Sequence, residues 1–281
     1  MMQELELIEE GMLGAPKKAS KWTLLYRRFE GIIFGIVAIV AFGALWEYIG
    51  TSGVMNPMFT SSPSLIYKAG AKLIADGKIW NDMYVSATEF SLGYGLSIFV
   101  GIPAGILFGW YRRLNYVADP FVAALYATPR VALLPLLIIW FGIGINSKIA
   151  VIFLGAVFPI LMNTFSGVRT LDASLLNAAR SFGANDRQIF TTIALPGSVP
   201  FILTGLRLGV GRALIGVVVG ELYAATAGVG YLIAVAGATF QTDKVMVGVL
   251  IIASWGIIFL KVLEAIEGKF DAWRPQRAGA E

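Results

Sequence analysis

Five charged side chains lie inside stretches apolar enough to be buried in lipid: Glu89, Arg130, Arg207, Arg212 and Glu221. An ion in hydrocarbon is costly, so each must pair, reach the interface or line a polar route for a solute. Arg207 and Glu221 would share a helix face within ~40°, but about 21 Å apart along the axis they cannot pair with each other. Arg212 points to a different face. Pairing with neighbouring helices, or snorkelling of the long side chains, is the alternative to a solute route. Catalysis is excluded more firmly. The chain has no His and no Cys, which removes His-based acid–base chemistry, thiolates, disulfides and His/Cys metal sites. No nucleophile–base set is visible, so no catalytic and no metal-binding residue is assigned. No G-x-x-x-x-G-K loop followed by Ser or Thr occurs, and Gly142-Ile143-Gly144 is too short for a dinucleotide loop.

A second candidate feature is polar and lies between two apolar blocks, from Asn177 to Pro196 (NAARSFGANDRQIFTTIALP). Ala178 and Ala179 are small and favour helix, and Gly183 stands where a helical turn would stop, with a positive φ. Ala184 follows, and a second helical run is expected from Asp186 to Thr192, closed by Leu195-Pro196. A helix–Gly–helix with small residues on its face is shaped to be gripped by another protein. A plain solvated connection is the competing reading.

The elements that must position these residues are membrane spans. Of the residues, 57 % are hydrophobic and 14 % charged, where a soluble domain carries about 25 % charged. The apolar residues come in blocks of about 20, the length that crosses hydrocarbon. The fold class is therefore all-α and polytopic, with six spans. Residues 1–29 read as a tail, acidic at Glu4, Glu6, Glu9 and Glu10 and then basic, without the short apolar core of a signal peptide. A first span occupies 30–50, with Trp46 and Tyr48 as interface anchors. Residues 51–84 form an outer segment whose stretch 64–76 makes a short interfacial helix. It begins at Ser62-Pro63-Ser64, carries an apolar stripe opposite Lys68 and Lys72, and stops at Asp76-Gly77. Spans two to six fill 85–264. The second, about 85–110, holds Gly101, Gly105 and Gly109 on one face, a ridge for close helix packing. The third, about 120–142, is interrupted by Pro129 and Pro135, and the fourth, about 149–165, contains Pro159. The fifth and sixth cover about 199–222 and 245–263, and 265–281 is a charged tail.

Thirteen Lys and Arg flank one side of these spans; five (Lys68, Lys72, Lys78, Lys148 and Lys244) fall in the opposite loops. The positive-inside rule then puts both termini and the 177–196 stretch in the cytosol. With basic residues spread over span ends, the net charge of +4 does not indicate nucleic acid.

The 177–196 stretch resembles the coupling motif of binding-protein-dependent ABC importer permeases, which reads Glu-Ala-Ala, three residues, Gly, nine residues, Ile-x-Leu-Pro. Ala178, Ala179, Gly183, Ile193, Leu195 and Pro196 fall at the matching positions, and Asn177 stands where the family has Glu. Further segments resemble the nitrate/sulfonate/taurine-type permeases: GIPAGILFGW, TPRVALLPLLIIWFGIG, FPILMNTFSGVR, GLRLGVGRA, Glu221-Leu222 and Gly228-Val229-Gly230. Glu89 departs from the Arg of many members. The resemblance implies a type I importer fold with residues 177–196 as coupling helices between spans four and five. It implies two permease copies, two cytosolic ATPases that hold the ATP and Mg, and an extracytoplasmic binding protein, in a bacterial inner membrane. No cofactor is expected in this chain. Members carry nitrate, sulfonates, taurine, bicarbonate and pyrimidine precursors, so the solute class is small and anionic or polar. The rival is a stand-alone secondary transporter or channel, which would show more spans or an internal repeat.

The charge asymmetry carries its own test. In this naturally Cys-free chain, Lys72→Cys and Arg187→Cys should label oppositely with a membrane-impermeant thiol reagent. Labelling at position 187 from outside right-side-out cells would overturn the topology.

Overall fold

A computed structural model describes residues 21–53 and 55–268; the tails 1–20 and 269–281 lie outside the described residues. All regular elements described are helical. The chain divides into two units, at Ser64 and Leu65. In the first, α1 (Lys21–Thr51) is already helical nine residues before the expected start of the first span at residue 30, and its membrane-length part is Phe29–Thr51. A single turn, α2 (Pro57–Thr60), follows. The Trp46 indole donates to the carbonyl of Thr60 at 3.2 Å, and Glu47 accepts from the Ser64 amide and hydroxyl at 2.9 and 2.7 Å.

The second unit begins within α3 (Pro63–Ala75), the expected short helix, with Pro63 at its first position, where no amide donor is needed. Ile66, Ala69 and Leu73 turn inward, and Gly77 at φ 73° separates it from α4 (Lys78–Trp110). Next come α5 (Arg112–Ala127), a 3-10 turn at Arg130–Leu133 and α6 (Leu134–Phe141). The third span is thus two helices bent by 91°, not one interrupted rod. Pro129 and Pro135 both stand at helix starts, so neither removes a hydrogen bond from a helix interior. Then follow α7 (Ile145–Arg169), α8 (Ala173–Ser181), α9 (Asp186–Ile189), a π-helical turn at Phe190–Ala194 and α10 (Leu195–Ala224). The chain ends in α11 (Val229–Ala238) and α12 (Thr242–Glu267). Five helical runs are long and apolar enough to cross a membrane, and the bent pair, taken as one span, makes six.

α7 is the centre of the second unit. Its residues Ile152, Ile160, Thr164 and Val168, spaced by four or eight, meet Gly93, Gly101, Gly105 and Gly109 of α4. At the missing ridge position the Ser97 hydroxyl donates to the Phe153 carbonyl at 3.2 Å. Two i+4 ridges therefore run side by side, and the paired numbers rise together, so α4 and α7 are parallel. On its other flank α7 meets α10 through Gly155 at Arg212, Ile152 at Gly216 and Lys148 at Gly220. There one number rises as the other falls, so these helices are antiparallel. Parallel α4 and α7 require the chain to recross between Trp110 and Ile145. Only the bent pair lies in that interval, which identifies it as the third span. The expected glycine ridge is present and extends upward to Gly93.

An ideal Cβ on Gly105 would stand 2.6 Å from both the Leu161 carbonyl oxygen and the Thr164 Cβ. Gly105→Ala should cost about 1–3 kcal/mol by overpacking, and Gly105→Leu should sharply reduce recovered protein. Gly95→Leu is the control, since no atom lies within 4 Å of a Cβ there. Thermal unfolding in detergent checks both; equal Tm values for Gly105→Leu and Gly95→Leu would refute the packing.

Candidate functional site

The polar stretch forms two short helices joined by a tight turn. Asp172 caps α8, its carboxylate accepting from the Ser174 amide at 2.8 Å, a bond that holds the carboxyl below the usual aspartate range. Asn177, Ala178 and Ala179 sit on α8. Its end is closed by backbone bonds from the Gly183 amide to Arg180 and the Ala184 amide to Ala179, with Gly183 at φ 82°. α9 starts with a reciprocal capping box: the Gln188 amide donates to the Asn185 side chain at 2.9 Å and the Asn185 amide to Gln188 at 2.8 Å. Between the helices opens a hollow of about 340 Å³ lined by Ala179, Phe182, Gly183, Ala184 and Ile193. Phe182 is 93 % exposed beside it.

One sequence expectation is corrected here. Leu195-Pro196 does not close the segment but opens α10. α9, the π turn and α10 form one helical run from Asp186 to Ala224, with Pro196 in the first turn of α10 and the hydrogen-bond register already changed just before it. The Trp110 and Phe190 rings, 5.0 Å apart, brace this run against the end of α4. The helices therefore lie on the same side of the bundle as Arg112 and Arg113.

The five intramembrane charges separate into three groups. Glu89 (α4) is ion-paired with Lys148 (α7), and the Glu221 carboxyl (α10) lies within electrostatic range of both. Lys148 is thus no loop residue, as expected from sequence, but a buried member of the first turn of α7. Glu221 is fully buried. It accepts from the Ser86 hydroxyl and the Gly230 amide, both at 2.5 Å; Ser86 in turn accepts from the Val229 amide at 2.8 Å. Gly228 packs directly on the Glu221 carboxyl, and its amide donates to Asp82 at 2.9 Å. These bonds fasten the start of α11 to α4 and α10. Arg207 is separate, paired at 2.5 Å with Glu267 of α12. The structure brings Arg130 and Arg212 together on one cleft of about 300 Å³ beside the break in the third span. Lys148, Ser86 and Asp82 escaped the sequence reading. Their partners are 59 to 146 residues away, and no local periodicity marks such a meeting.

Six apolar crossings with a polar helix–turn–helix projecting between the fourth and fifth define a multi-pass membrane transport subunit. The family of binding-protein-dependent transport system inner membrane components matches residues 97–272, and the chain belongs to that family. It is 35 % identical to the putative aliphatic sulfonates transport permease protein SsuC of Bacillus subtilis, over 90 % of this chain and 92 % of the relative. It is 32 % identical to the taurine transport system permease protein TauC of Escherichia coli, over 90 % and 93 %. Among solved structures it is similar to an inward-facing MetNI methionine ABC transporter, with TM-score 0.54 and 17 % identity over 65 % of this chain and 93 % of that one. That similarity supports the type I importer fold.

Two buried carboxyls share one ammonium, so the members of the cluster are not equivalent. Lys148→Met leaves Glu89 and Glu221 uncompensated and should destabilise by about 3–5 kcal/mol. Glu89→Gln should cost less, because Lys148 then serves Glu221 alone. Adding Glu89→Gln to Lys148→Met should recover part of the loss. The Tm of the three variants orders them, and a Lys148→Met protein as stable as wild type would refute the cluster.

Proposed function

We propose that the chain is the permease of an ATP-driven importer in a bacterial inner membrane, with both termini and the Ala173–Ile189 helices in the cytosol. Two copies enclose the route, and two separate ATPases dock on the coupling helices and supply the ATP and Mg chemistry. An extracytoplasmic binding protein delivers a small anionic or polar solute of the sulfonate and taurine class, the class named for the relatives. The observation that carries this reading is the exposed Phe182 beside the Ala179–Gly183 hollow, at the head of a helical run that continues unbroken into the membrane. An exposed aromatic next to a hollow of mixed polar and apolar lining fits a partner surface. Because α9 and α10 are one run, a push on the coupling helices tilts α10 as a lever, and α10 carries Arg212 and Glu221 with it.

Ala179→Asp would bury a carboxylate without a partner against the ATPase. Gly183→Val would force a β-branched residue into positive φ, at about 1 kcal/mol or more, and reorient α9. Both variants should insert normally yet lose bound ATPase, uptake and transport-stimulated hydrolysis together; Asn177→Glu should be tolerated. The measurement is ATPase copurification and uptake in reconstituted vesicles. Full ATPase binding and uptake by Ala179→Asp would reduce the stretch to a connecting loop.

A further inference from the structure

The Arg130/Arg212 cleft lies deep in the span region. Arg212 is about 18 Å along α10 from its far end, and its backbone faces Gly155 near the middle of α7. Arg212 therefore lies inside the stretch of α10 that crosses a hydrocarbon layer about 30 Å thick. Arg130 sits just after the non-helical Thr128-Pro129, at the 91° bend. Irregular backbone at membrane depth persists only where protein buries it or it lines a wet cavity.

The charge here is uncompensated. Arg130 and Arg212 are within electrostatic range of each other, and the residues lining their cleft include no acid. The buried carboxylates described in the spans are engaged elsewhere, Glu89 with Lys148 and Glu221 with Ser86 and Gly230, and so are the half-buried ones: Glu47 with Ser64, Asp82 with Gly228, Asp243 with the Lys244 amide and Glu267 with Arg207. Among the described residues, no ion pair involves Arg130 or Arg212. Arg130 is nonetheless held in place. Its guanidinium lies 5.3 Å from the Tyr126 ring centre and 5.5 Å from that of Phe158, which fixes its plane. Its Nε is buried with no hydrogen-bond partner, and its single protein bond is a long one of 3.4 Å to the Tyr126 carbonyl. A buried donor left open in a low-dielectric site carries a desolvation cost that an acceptor would remove. Planar guanidinium groups match oxyanions in geometry as well as charge.

We propose that Arg130 and Arg212 form a binding station for the oxyanion head of the transported solute, a sulfonate-type group. This rests on the importer reading and goes beyond it by assigning the residues that hold the solute in passage. The cavity volume falls at the small end of the range for ligand pockets, which suits a compact anion. The same chemistry exists in a phospholipid headgroup, so the test must separate the two sources.

The test uses the assembled permease–ATPase complex in nanodiscs of phosphatidylcholine alone, with radiolabelled methanesulfonate as the probe. Wild type should bind it saturably, with competition by sulfate and none by uncharged dimethyl sulfone. Arg130→Gln and Arg212→Gln should each weaken binding tenfold or more, while Arg130→Lys keeps part of it. ATPase copurification is measured on the same samples. Retained ATPase with unchanged probe binding in both Gln variants would overturn the station and leave the importer reading intact, whereas absence of ATPase from wild type would fail that reading itself. A second arm adds phosphatidylglycerol. If the anionic lipid abolishes probe binding in wild type, the cleft is a lipid site and the proposal fails. If the Gln variants lose their partner permease copy instead of the probe, the pair answers a carboxylate across that interface, and the proposal fails again.

Discussion

Helices already dissolved in lipid gain no hydrophobic free energy by leaving it for one another, so their association rests on close packing and on polar groups that find partners. The backbone-to-backbone approach of α7 to its two neighbours meets that constraint here. On one side β-branched Ile152, Ile160, Thr164 and Val168, stiff at χ1, sit in holes left by glycines of α4. On the other side Gly155 and Gly167 admit α10, which in turn presents Gly205, Gly209, Gly216 and Gly220. The remaining core forms where these seams meet. Phe90 and Tyr94, with Val210 and Leu214, enclose Ile152 and Ile160, and Trp255 and Phe259 of α12 cover them.

That geometry also decides what the charges do. Bringing α4, α7 and α10 within backbone distance buries Glu89, Lys148 and Glu221 together, so they answer one another and the amides at the start of α11. The same approach sets Arg212 facing the break after α5, where no carboxylate waits. One buried charge cluster is closed and holds helices together. The Arg130/Arg212 pair is less buried, and no acid lines its cleft.

The polar helices α8 and α9 join the seam indirectly, through α10. The capping box at Asn185 and the left-handed turn at Gly183 fix the angle between α8 and α9. The run through the π turn into α10 makes the attachment continuous, and α10 packs along α7.

Much of this was legible from the residues. Blocks of apolar residues dictated the crossings because hydrocarbon admits only helices that satisfy their own backbone. The spacing of Ala178, Ala179 and Gly183 marked two short helices joined by a left-handed turn, since caps and such turns are encoded within a few residues. The Gly101–Gly105–Gly109 ridge announced a packing face for the same local reason. The sequence did not reveal that Leu195-Pro196 continues a helix, because proline reads as a terminator until its neighbours show that the register has already changed. Nor did it reveal the 91° bend or the burial of Lys148. The grouping of charges belongs wholly to the tertiary structure. Lys148 meets Glu89 from 59 residues away, and Arg212 reaches the cleft of Arg130 from 82 residues away, through helix packing that no single segment records. Sequence determines what each helix can do alone, because propensity, capping and hydropathy act over a few residues; which charges are paired and which stay open is decided only when the helices meet.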